Sequence, residues 1–130
     1  LLDRIDLHVP LPAVPWSDLE SASAESSETV RERVTRARGL AAARRPQVAG
    51  FRNADLSPAD LDPPSELEPA ARKLLESAVD RLGLSVRALY RTLRVARTIA
   101  DLAGAGRIGA AHLAEAVSYR PRAAEETAQR

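Results

Sequence analysis

An all-α fold, a small antiparallel helical bundle with one orphan β-strand at its N-terminal end, is predicted by three features of this sequence. Apolar residues recur at helical spacing from about residue 27 to residue 119. Aromatic residues are scarce, with only Trp16, Phe51, Tyr90 and Tyr119 present. A core must therefore be made of Leu, Val, Ile and Ala, which suits packed helices better than a β-sandwich. Only the first few residues alternate with a period of two. A length of 130 residues supports one domain with a modest core.

The alternating stretch is Ile5, Leu7, Val9 and Leu11 set against Asp6, His8 and Pro10. No second strand pattern follows for it to pair with, and even a two-stranded hairpin is marginal in water. Residues 1–16 are therefore expected to end the core of another domain, which makes this sequence a piece of a longer chain. Taken alone, Asp3 to Leu11 should be disordered or paired outside their own sheet. Pro10, Pro12 and Pro15 break the pattern, and residues 17–27, serine-rich and acidic, form a solvated linker. Residues 28–121 make the helical domain and residues 122–130 a polar tail.

The first helix starts near Ser26 or Ser27 and runs to about Arg44, with a narrow stripe of Val30, Val34, Ala37 and Ala41. Pro46 ends it. Gln47 to Pro64 is a loop with one helical turn, capped by Ser57, begun by Pro58 and carrying Asp60 at its third position. The second long helix spans about Glu66 to Leu82, with Ser65 and Glu68 at capping-box spacing. Its face is Leu67, Ala71, Leu74, Leu75, Ala78, Val79 and Leu82, and Gly83 stops it. The third helix, about Val86 to Ala103, is capped by Ser85. Val86, Leu89, Tyr90, Leu93, Ala96, Ala100 and Ala103 line one side of it. A second row of Val95, Ile99 and Leu102 makes it the most buried helix. After a turn at Gly104 and Gly106, the fourth helix covers about Ala110 to Tyr119 and packs through Leu113, Ala116 and Val117.

Nineteen basic and eighteen acidic residues leave a net charge of +1, so nothing pulls the whole chain toward nucleic acid. The charge is segregated along the sequence. Residues 31–52 are net +6, residues 53–80 net −5 and residues 81–107 net +5. That alternation favours pairing between neighbouring helices or between subunits. The absence of cysteine removes disulfides, thiolate metal sites and cysteine nucleophiles. No apolar run approaches the ~18 residues of a membrane span and no signal-peptide pattern is present, so a cytoplasmic protein without membrane contact is expected. His8 and His112 lack partners at zinc spacing, which leaves His112 as a surface or capping residue and no metal site. Gly104-Ala105-Gly106 lacks the lysine and preceding strand of a phosphate loop. The chain holds no self-sufficient active site.

Its arginines can complete a site built by other residues. Arg87 falls in the first turn of the third helix, where the helix dipole already places partial positive charge. Arg91 and Arg94 continue the same face at i+4 and i+7, adding like-charge repulsion. A bound phosphate is an anion that offsets both penalties; long arginine stems that snorkel and keep their heads in water are the other reading of the same charges.

Two stretches together resemble the magnesium-chelatase subunit I-like AAA+ ATPases, in particular their ComM/YifB-type branch. Leu1-Leu2-Asp3-Arg4-Ile5-Asp6-Leu7-His8-Val9 is similar to the end of the AAA+ core. Leu84 to Leu102, with Ile108, His112 to Val117, Tyr119 and Arg120, is similar to the C-terminal helical domain. Weaker similarity, including Asn53-Ala54, runs between them. The resemblance implies a ring-forming, hexameric ATPase with nucleotide at its subunit interfaces. In it Arg4 matches the arginine finger, and Arg87 matches the sensor-2 arginine that also approaches the γ-phosphate. ATP and Mg²⁺ would then belong to the parent protein and not to this piece. Its partners would be its own AAA+ core and the neighbouring ring subunits, with DNA reached through the ring. Arg91 and Arg94 are expected in surface or interhelix ion pairs. The sequence departs from the family between Arg38 and Phe51, so no role carries over to Arg44 or Arg45.

Within this resemblance a DNA-acting motor for branch migration in transformation is the first reading. The ATPase subunit of a magnesium chelatase in tetrapyrrole synthesis is an alternative. A stand-alone helical DNA-binding or oligomerisation module is another: Ser85 to Ala96 has the look of a recognition helix and Arg31 to Arg45 is basic, but the strand then goes unexplained.

Overall fold

A computed structural model describes residues 5–16, 25–61 and 66–120. Arg4, most of the linker, Ser65 with its half of the capping box, Pro63-Pro64 and the tail lie outside the described residues. Four α-helices are present among them: α1 (Ser27–Arg44), α2 (Pro69–Leu82), α3 (Val86–Leu102) and α4 (Ala110–Ser118). Two 3-10 turns, Asn53–Asp55 and Pro58–Leu61, occupy the loop between α1 and α2. The all-α bundle follows the helical periodicity of the sequence.

The helix ends follow local chemistry. Ser26 caps α1, its Oγ accepting the Thr29 N–H at 3.2 Å. Ser85 caps α3 in the same way through Ala88, also at 3.2 Å. Gly83 closes α2 in the left-handed region at φ 59°, where a residue with a Cβ is strained. His112 caps α4, its Nδ1 accepting the Gly109 N–H at 3.0 Å. The short turn at Ser57 forms as its sequence dictates, with Asp60 Oδ2 accepting from the Ser57 backbone N–H at 2.9 Å and from its hydroxyl at 2.6 Å.

The start of α2 differs from the sequence expectation. The regular helix begins at Pro69, with Glu68 extended as its N-cap, not at Glu66. A residue before proline is pushed out of the helical region, and proline itself favours the first helical position. The freed residues make an isolated parallel bridge, Leu67 with Ile108. In it Glu68 N–H donates to the Ile108 carbonyl at 3.0 Å and Ile108 N–H to the Glu66 carbonyl at 2.8 Å. The Arg107 guanidinium also donates to the Leu67 carbonyl.

α3 is the centre of the fold, packing on α4, on α1 and on both 3-10 turns, while α2 reaches the bundle through α4. One cluster holds the core, from Phe51, Leu56 and Leu61 through Leu67, Ala71, Leu75, Leu93, Ala96 and Ala100 to Ile108, Leu113 and Ala116. Several expected core positions stay outside it. Val86 is 71% exposed, Leu82 49% and Leu102 41%, and each lies at a helix end. α1 buries only Ala37 and Ala41.

The expected N-terminal strand has no ladder: residues 5–15 carry no strand pairing. The segment runs irregularly beside the bundle instead, with the His8 N–H donating to the Tyr119 carbonyl at 2.9 Å. No helix among the described residues is long and apolar enough to cross a membrane.

Candidate functional site

The first turns of α3 present three arginines in a row, and the bundle treats them differently. Arg91 Nη1 lies 3.3 Å from Oδ1 of Asp6, and its side chain is 17% exposed. Arg94 turns inward, its Nε donating to the Leu56 carbonyl at 2.9 Å. That is a backbone contact where an ion pair was expected, because the end of the first 3-10 turn leaves a carbonyl beside the helix. Arg87 is exposed and has no ion pair or side-chain hydrogen bond among the described residues. The fold thus leaves one of the three cations open, in the turn where the helix dipole is least able to tolerate it. Backbone N–H groups of the same turn and the planar Arg87 fork suit an anion such as a phosphate. Arg4 lies outside the described residues, two positions before Asp6 in the sequence.

A second polar cluster lies at the other end of α3, about 20 Å from Arg87 at 1.5 Å rise per residue, and it is structural. Arg97 is 1% exposed and Asp101 2%. The Arg97 guanidinium donates to Asp101 Oδ1 at 3.1 Å and to the carbonyls of Ala105 and Gly106 at 2.6 and 3.0 Å. It also reaches Glu66 Oε2 at 3.3 Å. Arg44 of α1 grips Asp101 with both terminal nitrogens, one of them at 2.8 Å from Oδ2. Asn53 completes the set, its Nδ2 donating to Asp101 Oδ2 at 2.7 Å and to Thr98 Oγ1 at 3.2 Å. Burial alone would raise the Asp101 pKa, but Arg44, Asn53 and Arg97 more than offset it and hold the carboxyl below its ordinary range. Every Asp101 oxygen is engaged, so the cluster fastens α1, the first 3-10 turn and the α3–α4 loop to α3. Arg97 and the partnership of Arg44 with Asp101 were missed in the sequence. The available signal was the i, i+4 spacing of Arg97 and Asp101 on the buried side of α3.

Arg45 pairs with Asp60 and Arg52 with Asp55 at 3.1 Å. The basic and acidic blocks of the sequence are therefore joined within the domain. Beside the buried cluster lies a groove of about 310 Å³ lined by Val34, Ala37, Phe51, Asn53, Thr98 and Leu102, among others. Its polar floor, Asn53 and Asp101, is already satisfied. Among the described residues no group of three or more His, Asp or Glu is placed to hold a metal ion.

The family model described as "Magnesium chelatase, subunit ChlI C-terminal" matches residues 24–120. The chain is 41% identical over 121 residues to the competence protein ComM of Haemophilus influenzae, covering 92% of this chain and 23% of that protein. It is 43% identical over 122 residues to an uncharacterised protein of Mycobacterium tuberculosis, covering 92% and 24%. Identity to the uncharacterised protein YifB of Escherichia coli is 40% over 121 residues, again 92% of this chain and 23% of the relative. The chain thus spans about a quarter of the length of the curated relatives it matches.

Proposed function

The chain belongs to the magnesium chelatase subunit ChlI C-terminal family, and from that premise we propose that it is the helical lid of a ring-forming AAA+ ATPase of the ComM/YifB type. Its role is to complete an ATP·Mg²⁺ site whose phosphate-binding motifs lie in the rest of the protein. The observation that carries this reading is the selective treatment of the three arginines: Arg91 and Arg94 are engaged by Asp6 and Leu56, and Arg87 is left open.

Phosphoryl transfer needs little covalent help from a protein. It is accelerated by positioning and by cations that stabilise charge on the equatorial oxygens of the transferred group. A permanently charged, planar guanidinium does this better than an ammonium. Arg87 takes the sensor-2 role on the γ-phosphate, and Arg4 that of the arginine finger. Ile5, Leu7 and Val9, which are 45%, 49% and 58% exposed, suit contact with the protein's own AAA+ core. Neighbouring ring subunits supply the other side of the nucleotide site. The relative named a competence protein favours a motor that acts on DNA in the cytoplasm over a chelatase of tetrapyrrole synthesis.

The test is Arg87→Ala in the longer protein. ATP turnover should fall by roughly a hundredfold, the scale of losing one preorganised donor to developing charge. The melting of the helical domain should shift by less than about 1 kcal/mol, because the variant opens no cavity and relieves a cation at a helix N-terminus. Unchanged turnover, or a domain that unfolds, would overturn the assignment.

A further inference from the structure

Among residues 5–16 only His8 is less than exposed, and the segment is attached at alternate positions. Asp6 meets Arg91 of α3 at 3.3 Å, and the His8 N–H meets the Tyr119 carbonyl, one residue beyond α4, at 2.9 Å. Two contacts, two residues apart, thus tie one irregular segment to α3 and to the residue that follows α4. Tyr119 is itself anchored, its hydroxyl hydrogen-bonded to Glu115 Oε1 at 2.9 Å. Arg91 lies one turn from Arg87 on the same face of α3, and only its outer part is accessible, at 17% side-chain exposure.

We propose that Asp6 is a positioning residue. Acting through Arg91, it clasps the N-terminal segment to the face of α3 that carries Arg87. The protein's own AAA+ core, which on the reading above contacts the exposed Ile5, Leu7 and Val9 of that segment, is thereby held at a fixed distance from the Arg87 guanidinium. The inference rests on the reading of Arg87 as a phosphate-contacting arginine. An ion pair in which Asp6 is 56% exposed adds little to global stability. Its weight is geometric, since a misplacement of about 1 Å in a reacting assembly can cost about 10²-fold in rate.

Two measurements test the clasp. In the longer protein, Asp6→Asn and Arg91→Gln should each lower kcat for ATP by about tenfold, a partial version of that positional loss, with KM and melting unchanged. The double variant should be no worse than either single one, and Asp6→Glu should keep most of the activity. In the 130-residue chain, whose core closes on its own residues, Asp6→Asn should speed amide exchange at His8 while Leu93 and Ala96 keep their protection. A His8 amide unaffected by Asp6→Asn overturns the clasp. A His8 amide set free with kcat intact overturns the positioning role, as do fully additive losses in the double variant. If Arg87→Ala leaves turnover untouched, the reading of Arg87 falls instead, and the exchange result at His8 identifies which of the two has failed.

Discussion

Asp101 is a buried carboxylate between two arginines and an asparagine, and its ionisation is linked to folding. With its folded pKa held below the ordinary range, the carboxylate contributes stability that is fully present above the unfolded value of about 4. That contribution is lost as pH falls through the depressed folded value. Acid titration of the melting transition should therefore show a loss of stability below about pH 4 that Asp101→Asn reduces. At neutral pH the same variant should cost about 3 kcal/mol, the low end for breaking a buried ion pair, because Arg44 is 26% exposed in its side chain and can be partly hydrated. A pH profile identical to that of the native chain would show that Asp101 is not the linked group. Arg87 is the contrast at this scale, a cation that the fold leaves without a partner among the described residues.

The junction between α2 and α3 is short, and two residues make it possible. Gly83 sits at φ 59° with open space where a Cβ would stand, so Gly83→Ala should cost about 1 kcal/mol of backbone strain alone. Ser85→Ala removes the side-chain cap of α3 and should cost about as much, with faster exchange at the Ala88 amide. Urea midpoints for the two variants check both values. A Ser85→Ala loss near zero would mean that packing of Leu89 and Leu93 orders the first turn without the cap. Both features follow from local rules read along the sequence, as does the cap on α1. The start of α2 was legible too, in Pro69, but the capping-box spacing of Ser65 and Glu68 pointed one turn too early.

Across the whole molecule, α3 is the element on which the other parts converge, and Leu93, 1% exposed, lies in its centre. Leu93→Ala should destabilise the chain by about 2–5 kcal/mol, the range for truncating a buried leucine. It should lower ATP turnover in the longer protein only as far as the domain unfolds, the opposite profile to Arg87→Ala. The 130-residue chain by itself should not hydrolyse ATP, since its sequence contains no phosphate loop. Turnover by the purified chain that Arg87→Ala abolishes would contradict its reading as a lid. The charge blocks that alternate along the sequence are joined inside this one chain, through Arg44 with Asp101, Arg45 with Asp60 and Arg97 with Glu66.

Helix periodicity, caps and punctuation are properties of a few consecutive residues, so the sequence alone determined the four helices, Ser26, Gly83 and Ser85 at their ends, and the family that Leu84 to Leu102 resembles. What lies between elements was not legible there. The partners of Arg44, Arg97 and Asn53 are up to 57 positions away in the chain, and a single sequence carries no trace of such a distance. The alternation of Ile5, Leu7 and Val9 predicted a strand, because an alternating pattern reports which side chains share a face and not what lies opposite. Only the tertiary structure decided that Asp6 meets Arg91 and that the His8 N–H meets the Tyr119 carbonyl. It also decided that, of the three arginines in the first turns of α3, Asp6 and the Leu56 carbonyl take two and leave Arg87 open.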